Sequence, residues 1–593
     1  MDRQTRLFLV LLATLASGGT SATSAELGLS QEAFAALDPT LPGRKACRGF
    51  TGSATVLDGR LRLAQSLAEE RGYGSSGIGL YSGIAKSDLP LSDMDPMARR
   101  YFDQGVAFAY GFNHAAAIRS FKRAQQIDPG CAACWWGEAM ANGPNINVAM
   151  DDRQNASALA ALAKAQSLSA NATPFERALI EAQAVRYSAA PDADRGSLDR
   201  AYAQAMLQVS DSHPASDDLA VLAAEAAMNT SPWNYWTDEG QPVPFIAEAV
   251  GLIERVMKRN PAHPQASHLY IHLLELPQPG KAEAAADRLR ASSPKALGHL
   301  VHMPAHIYYR LGRYQDSIEA NIRAVAADEA YLREVGDDGL VRFGYYPHNV
   351  HFLLTSAQAM GDVPTVVNQT AKLERILDVE TGRDLYWVQA IYAAPYFAYA
   401  QYSSPGAIVA LTSKPHPLEY VEAMRHYARA VAIAHEPKLG NFAAEVDAMQ
   451  KLIASPAVAQ MDANGFPAPL IIGLAIEVAK GRQALARSRF DEAISHFSKA
   501  AELQKQIPYN EPPFWYYPVG QSLGAAYYKA GRFTEAKTAF RAALFDAPNS
   551  ALALYGLALT EGKLGNRLER MAAERAFEAV WRGQQGLPDL GRI

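Results

Sequence analysis

The sequence predicts an all-α protein built from stacked helix pairs, and three observations point to this fold class. Apolar residues recur at helical spacing along the 593-residue chain, and no stretch keeps the period-two alternation of a strand ladder. A helix-turn-helix pattern of about 34 residues returns, with small residues, aromatic residues and a proline at fixed places. The three cysteines are too few to hold the chain together, so a hydrophobic core must do so.

Residues 1–25 are predicted to be a secretory signal. Arg3 and Arg6 precede an apolar stretch over residues 7–15, and small residues follow. That stretch is too short to cross a bilayer. We therefore expect cleavage, a periplasmic or secreted protein, and no transmembrane segment after signal removal. Residues 26–97, which carry Gly-rich and Ser-rich stretches, are expected to form an irregular N-terminal segment.

The helix pairs that follow fit a tetratricopeptide repeat (TPR) pattern. Copies at 98–131, 474–507 and 517–550 carry the small and aromatic marker residues, and a degenerate copy at 298–331 has Asn321 where an aromatic residue is usual. Small residues let two helices approach closely, and the aromatic side chains fill the gap to the next pair. The predicted fold is a TPR-type right-handed helical superhelix, an α-solenoid whose first helices line a concave groove.

A Pro-rich stretch at 402–418 is taken to divide the repeats. We predict an N-terminal TPR array over residues 98–400 and a C-terminal TPR array over residues 419–593. The net charge is -5, and the charged residues are scattered without a Lys/Arg block. Neither a nucleic-acid partner nor a basic membrane anchor is therefore expected.

Eight of the 14 histidines lie between residues 263 and 351, in three segments that are each predicted to begin a helix pair. His268 and His272 are one helical turn apart, and Glu275 follows on the same face. Two further one-faced stripes hold His299, His302 and His306, and His348 and His351. His263, in the turn sequence NPAHPQ, is expected to be structural.

These stripes are expected to lie side by side in the groove, so that seven imidazoles and one carboxylate converge. Neutral imidazole is the commonest protein ligand for zinc, copper, nickel and iron. We predict one or two transition metals (copper, zinc or iron) held by His268, His272, His299, His302, His306, His348 and His351. Glu275 is the predicted additional ligand or general base, and Tyr270, Tyr308, Tyr345 and Asn349 are expected to orient ligands.

Several blocks of the chain resemble a family of exported bacterial TPR proteins. The blocks are CAACWWGEA, GPNIN, MNTSPWNYW, HLYIH, HMPAHIYYRLGRY, HNVHFL and a later EPPFWYYPVGQSLGAAYYKAGR. The resemblance implies a TPR superhelix with a metal-dependent role and no assigned reaction. The positions that match its histidine blocks are His268, His272, His302, His306, His348 and His351, whereas His299 and Glu275 rest on spacing.

The function predicted from these features is a metal-dependent enzyme or a metal-handling protein acting on a small molecule or peptide. Oxidative chemistry is preferred over hydrolysis because sites rich in His and poor in carboxylates suit copper. The alternative is a protein-interaction scaffold whose groove binds a peptide or partner protein, with the histidines as a polar or pH-sensitive lining. Cys131 and Cys134 remain open between a structural pair, redox chemistry and metal binding.

Overall fold

The computed structural model describes residues 77–593, apart from residues 238, 336–338, 509 and 584–585. The expected signal at residues 1–25 and most of the expected N-terminal segment therefore lie outside the described residues. From residue 77 to the first helix the described chain is irregular, as expected for that part of the segment. It runs along the helical body, where the backbone N–H of Tyr81 donates to Gln104 at 2.8 Å.

The described chain consists mainly of α-helices joined by short turns. The first ten are α1 (Pro96–Tyr110), α2 (His114–Ile127), α3 (Ala132–Ala141), α4 (Asp152–Leu168), α5 (Pro174–Ala184), α6 (Arg195–Ser212), α7 (Asp217–Met228), α8 (Ile246–Arg259), α9 (Pro264–Leu274) and α10 (Pro279–Ser292). The next seven are α11 (Gly298–His302), α12 (Pro304–Arg310), α13 (Tyr314–Val335), α14 (Tyr346–Met360), α15 (Val363–Ile376), α16 (Val379–Asp384) and α17 (Val388–Tyr402). The last ten are α18 (Pro405–Leu411), α19 (Glu419–His435), α20 (Phe442–Ile453), α21 (Pro456–Ala463), α22 (Ala468–Ala486), α23 (Phe490–Gln504), α24 (Gly520–Lys529), α25 (Phe533–Asp546), α26 (Ala551–Leu564) and α27 (Arg567–Val580).

The predicted all-α solenoid is confirmed. Consecutive helices pack on one another along the chain, as in α1 with α2 and α22 with α23. Within the described ranges the strand-like pairing amounts to one isolated bridge between Trp236 and Pro242. None of the described helices is both long enough and apolar enough to cross a membrane.

Glycine and phenylalanine make the contact that the repeat pattern predicts. The buried ring of Phe121 lies between Gly105 and Gly137, where an added Cβ would come within 2.6 Å and 2.5 Å of it. Phe540 sits against Gly556 in the same way, at 2.2 Å. Because no larger residue fits at these glycines, the helices of successive pairs can close on one aromatic ring.

The chain has two Pro-rich stretches, at 402–418 and at 506–518, and both interrupt the helix pairs, but in different ways. The first one contains the short helix α18. Described residues 506–518 of the second stretch form no helix, and the Tyr516 hydroxyl donates to the Ala390 carbonyl at 2.7 Å. The segment therefore brings late residues onto the central helices, against the region where the histidines lie.

Cys131 and Cys134, whose pairing the sequence left open, are joined by a disulfide at the start of α3. Both residues are buried. The bond closes one helical turn and lies in the hydrophobic core of the first helices. Their place is that of a structural pair.

Candidate metal centre

Helices α9, α11, α12 and α14 place the candidate ligands. His268 and His272 lie on α9, where Pro264 occupies the first helical position and His263 caps the N-terminus by accepting from the Ala266 N–H at 3.3 Å. His348 lies on α14, which follows a π-helical turn at Val341–Tyr345. Such π-helical turns are rare in proteins, and many of those that occur lie at functional sites.

Pro304 separates two short helices in the segment that carries the middle stripe. Helix α11 ends at His302 and α12 begins at Pro304. Proline has no N–H to donate, so the hydrogen bonding of the helix is interrupted at this point. His299 and His306, which the sequence placed on one stripe, belong to two different groups of ligands.

The first triad consists of His268, His272 and His299. One ring nitrogen from each lies within 4.8 Å of the others. The Nε2 atoms of His268 and His272 are 3.0 Å apart. All three rings are buried, and neither nitrogen of His299 has a hydrogen-bond partner among the described residues. Burying an imidazole without partners is costly, so these atoms are available to a ligand such as a metal ion.

The second triad consists of His302, His306 and His348, whose candidate ligand atoms also lie within 4.8 Å of one another. The ring centres of His302 are 4.8 Å from those of both His306 and His348. His302 and His306 are buried, and His348 is half-buried. The arrangement supplies a second set of three imidazole donors.

The two triads are neighbours, and a carboxylate stands between them. The ring centres of His272 and His306 are 6.2 Å apart, and so are those of His299 and His302. Glu275 places one oxygen 3.6 Å from Nδ1 of His272 and the other 2.8 Å from Nδ1 of His306.

Two buried amide side chains set the tautomers of the triad imidazoles. Nδ1 of His302 donates to Asn321 Oδ1 at 2.6 Å, and Nδ1 of His268 donates to Gln265 Oε1 at 2.9 Å. The Gln265 amide in turn donates to Glu225 at 3.0 Å. With Nδ1 protonated, Nε2 of each imidazole keeps its lone pair, which is how proteins orient metal-binding histidines.

Glu511, in the second Pro-rich stretch, completes the carboxylate side of the cluster. Its Oε2 lies 2.8 Å from Nδ1 of His306, and Glu275, His306 and Glu511 form a third group with candidate ligand atoms within 4.8 Å. With its Nδ1–H directed to the carboxylates, His306 can present Nε2 to the second triad. Alternatively, Nδ1 and the two carboxylates can hold an ion themselves.

Burial and charge divide the imidazoles into two kinds. Burial, and next the neighbouring imidazoles, lower the pKa values of His268, His299 and His302 well below the ordinary value. Burial acts in the same direction on His306, but the Glu275 and Glu511 carboxylates outweigh it and raise its pKa. The triads are therefore mostly neutral imidazoles, the form that binds metals.

Aromatic rings cover both triads. Phe112 lies 4.6 Å from the ring of His268 and 5.4 Å from that of His299, and Phe352 lies 4.6 Å from that of His306. Trp233 contacts the ring of His272 at 5.1 Å. Phe112 and Trp233 both have positive φ, at 53° and 62°, which strains a non-glycine residue. Two of the residues that pack against the ligands are thus held in a strained backbone conformation.

The other predicted residues lie outside the triads. Nε2 of His351 donates to the Tyr516 hydroxyl at 2.9 Å, which itself donates to a carbonyl. The ring centre of Tyr345 lies 4.6 Å from that of His299. The remaining three side chains donate hydrogen bonds to carboxylates outside the triads: Tyr270 to Glu254, Tyr308 to Asp287 and Asn349 to Asp328. His263 pairs with Asp218 at 3.2 Å.

Sequence reasoning missed Glu511, Gln265, Phe112 and the role of Asn321. Asn321 was visible as the polar residue that replaces the usual aromatic in the degenerate repeat, and it serves His302 instead of filling a gap. The only signal for Glu511 was the EPPFWYYP block. About 200 residues separate Glu511 from the histidines, and a repeat pattern does not determine contacts over such a distance.

The likeness of this chain to known proteins is a likeness of structure and not of sequence. The molecule is a helical-repeat protein with a buried histidine cluster; no family model matches the chain, and no curated protein matches it. The solved structures that align include the human IFIT1 dimer with PPP-AAAA, at 13% identity over 88% of this chain and 94% of that chain, with a TM-score of 0.26.

Two further alignments are of the same kind. Yeast Tom70 aligns at 11% identity over 82% of this chain and 92% of that chain, with a TM-score of 0.25. The TPR domain of P58(IPK) aligns at 12% identity over 79% of this chain and 99% of that chain, with a TM-score of 0.20. TM-scores this low say nothing about the site of this chain.

Proposed function

We propose that this chain is a metal protein whose two histidine triads hold two transition-metal ions side by side. The observation that carries the proposal is the convergence of six mostly buried imidazoles in two sets of three, with Glu275 between them. Three imidazoles per ion suit zinc, copper and iron, and two such sites side by side would form a dinuclear centre.

The donor set favours copper, and with it oxidative rather than hydrolytic chemistry. Each triad is made of imidazoles alone, and the carboxylates of Glu275 and Glu511 contact His306 at Nδ1. Copper held by imidazoles supplies electron transfer and oxygen chemistry to a site. Glu275, which contacts Nδ1 of His306, is placed to fix that ring and to accept a proton, and aromatic side chains pack against the triads.

Export is part of the proposal and rests on the character of residues 1–25. A periplasmic or secreted location would expose the chain to an oxidising environment, in which the Cys131–Cys134 disulfide persists. A small molecule or peptide would then be the substrate.

The second candidate is a protein-interaction scaffold, and the solenoid of helix pairs favours it, because such arrays commonly bind partner proteins. The fold by itself supports the scaffold, whereas the metal protein also requires the histidine cluster. A scaffold would bind its partner on exposed helix faces, because His268 and His302 are fully buried and cannot touch a partner in an open groove.

The test is elemental analysis of protein exported to the periplasm and purified without chelator or affinity histidines. We expect about two copper, zinc or iron ions per chain. The His302→Ala/His306→Ala variant should lose at least one of them. The matched control is His496→Ala, which removes an imidazole that pairs with Glu477 outside the cluster. If the purified protein contains no metal and binds none when these ions are added, the metal proposal fails and the interaction scaffold is the remaining candidate.

A further inference from the structure

A cavity of about 200 Å³ lies beside the cluster, on the far side of Glu511. Glu511 and Arg310 form one end of its wall, and their Oε1 and Nε atoms are 3.7 Å apart. Aromatic side chains line much of the remainder, among them Tyr309, Tyr314, Tyr402, Trp515 and Tyr517. Since Glu511 also contacts His306, a molecule in this cavity would be one side chain away from the second triad.

Three residues of the cavity wall carry buried polar atoms that have no hydrogen-bond partner within the described part of the chain. Gln521 is fully buried, and neither its amide nitrogen nor its amide oxygen is hydrogen-bonded. The same holds for Nε1 of Trp515 and Oε1 of Gln358. A buried polar group without a partner is unfavourable, so a cavity wall with several of them points to a ligand toward which these side chains can turn.

The character of the wall defines the class of ligand. The free groups are neutral donors and acceptors, which match hydroxyl groups, and the aromatic faces match an apolar ring face. An anion would meet Glu511 and, at the exposed rim, Asp546, against the single guanidinium of Arg310. At about 30 Å³ per water, the volume corresponds to roughly seven waters, which is the size of one monosaccharide.

We propose that this cavity binds a small uncharged polyol of about monosaccharide size. Its amide and indole groups would turn to the hydroxyls, and its aromatic rings would cover the apolar face of the ligand. The binding requires no metal. Only the further role of this polyol as the substrate of the metal centre, through its position next to Glu511, rests on the proposed function.

The experiment is a binding titration of the full chain after removal of metal ions with a chelator. The probes are D-glucose, D-galactose and N-acetyl-D-glucosamine, with D-gluconate as the anionic counterpart. At least one neutral sugar should bind with one site per chain, and gluconate at least 10-fold more weakly. Gln521→Leu and Trp515→Phe should each weaken sugar binding at least 10-fold. Gln460→Leu, a change at an exposed glutamine outside the cavity, should leave it unaltered.

Three results would overturn the proposal: no saturable binding of any neutral sugar, equal binding of gluconate, or unchanged binding in both cavity variants. Trp515→Phe keeps the aromatic ring, and thermal melts show whether each variant is folded. The metal and sugar tests fail separately, because His302→Ala/His306→Ala should lose metal while it still binds sugar. A chain that binds metal and no sugar would retain the proposed function and lose the cavity site.

Discussion

The helices from 264 to 360 and those from 468 to 580 use the same packing of helix pairs, but only the C-terminal ones are regular. In the C-terminal group, long helices close on single aromatic rings such as Phe497, against Gly481, and Phe540. In the central group, Pro304 divides a helix and a π-helical turn precedes α14. The irregular group contains both triads.

The histidines of the two regions also have different partners. In the C-terminal region His496 pairs with Glu477 at 2.8 Å. Outside both regions, on α19, His426 likewise lies between the carboxylates of Glu422 and Glu445. In the central region, imidazoles face imidazoles. Rings packed together in this way would repel one another once protonated, and a shared metal ion removes that problem. The fold tolerates broken helices where the ligands must converge.

The largest expected effect lies in the regular region. Phe540→Ala removes the ring that fills the space beside Gly556, and we expect a loss of about 3–5 kcal/mol in the free energy of unfolding. Metal content of the folded fraction should not change. Urea unfolding together with elemental analysis measures both, and a stable variant that lost its metal would erase the distinction between the two regions.

The next effect separates the two triads. His268→Ala should remove the ion of the first triad while the second triad keeps its own, so that the metal content falls by half. The affinity of the damaged site should fall at least about 100-fold, or about 2.7 kcal/mol. His348→Ala should do the same to the second triad. Competition titrations with a chelating dye measure each loss, and simultaneous loss of both ions in either variant would show one coupled site.

A smaller effect is expected when the residues behind the ligands are changed. Asn321→Leu removes the acceptor for Nδ1 of His302, and Gln265→Leu removes that of His268. Such changes lower metal affinity by about 10–100-fold. The same titration compares these variants with Gln460→Leu. If both variants bind metal as the unchanged protein does, the amides only fill space.

Acid should destabilise the metal-free protein. His268, His299 and His302 have folded pKa values below the ordinary value of 6.5, so the unfolded chain takes up protons that the folded chain does not. The contribution of these three rings is therefore full above pH 6.5 and falls as the pH drops below it, by about 1.4 kcal/mol per pH unit for each proton, whereas the raised pKa of His306 lowers stability only as the pH rises above 6.5. Urea unfolding between pH 5 and 7 checks the slope, which should be shallower in His299→Leu; a flat profile would contradict the burial of neutral rings.

The repeats and the histidine stripes could be predicted because each depends on spacing within one helix pair. The Gly105–Phe121 contact and the shared face of His268 and His272 are of this kind. The division of the middle stripe could not be predicted from periodicity, since it depends on how α9 and α14 pack on either side of that stripe. Glu511 is held by packing between distant helices, which no local pattern encodes.

The most direct test of the metal centre is a crystal structure of the exported protein with anomalous scattering data at the copper, zinc and iron absorption edges. We predict one anomalous peak within the first triad and a second within the second triad, with the same element at both. Crystals of protein supplied with these metals that show well-ordered histidines and no anomalous peak near either triad would contradict the account.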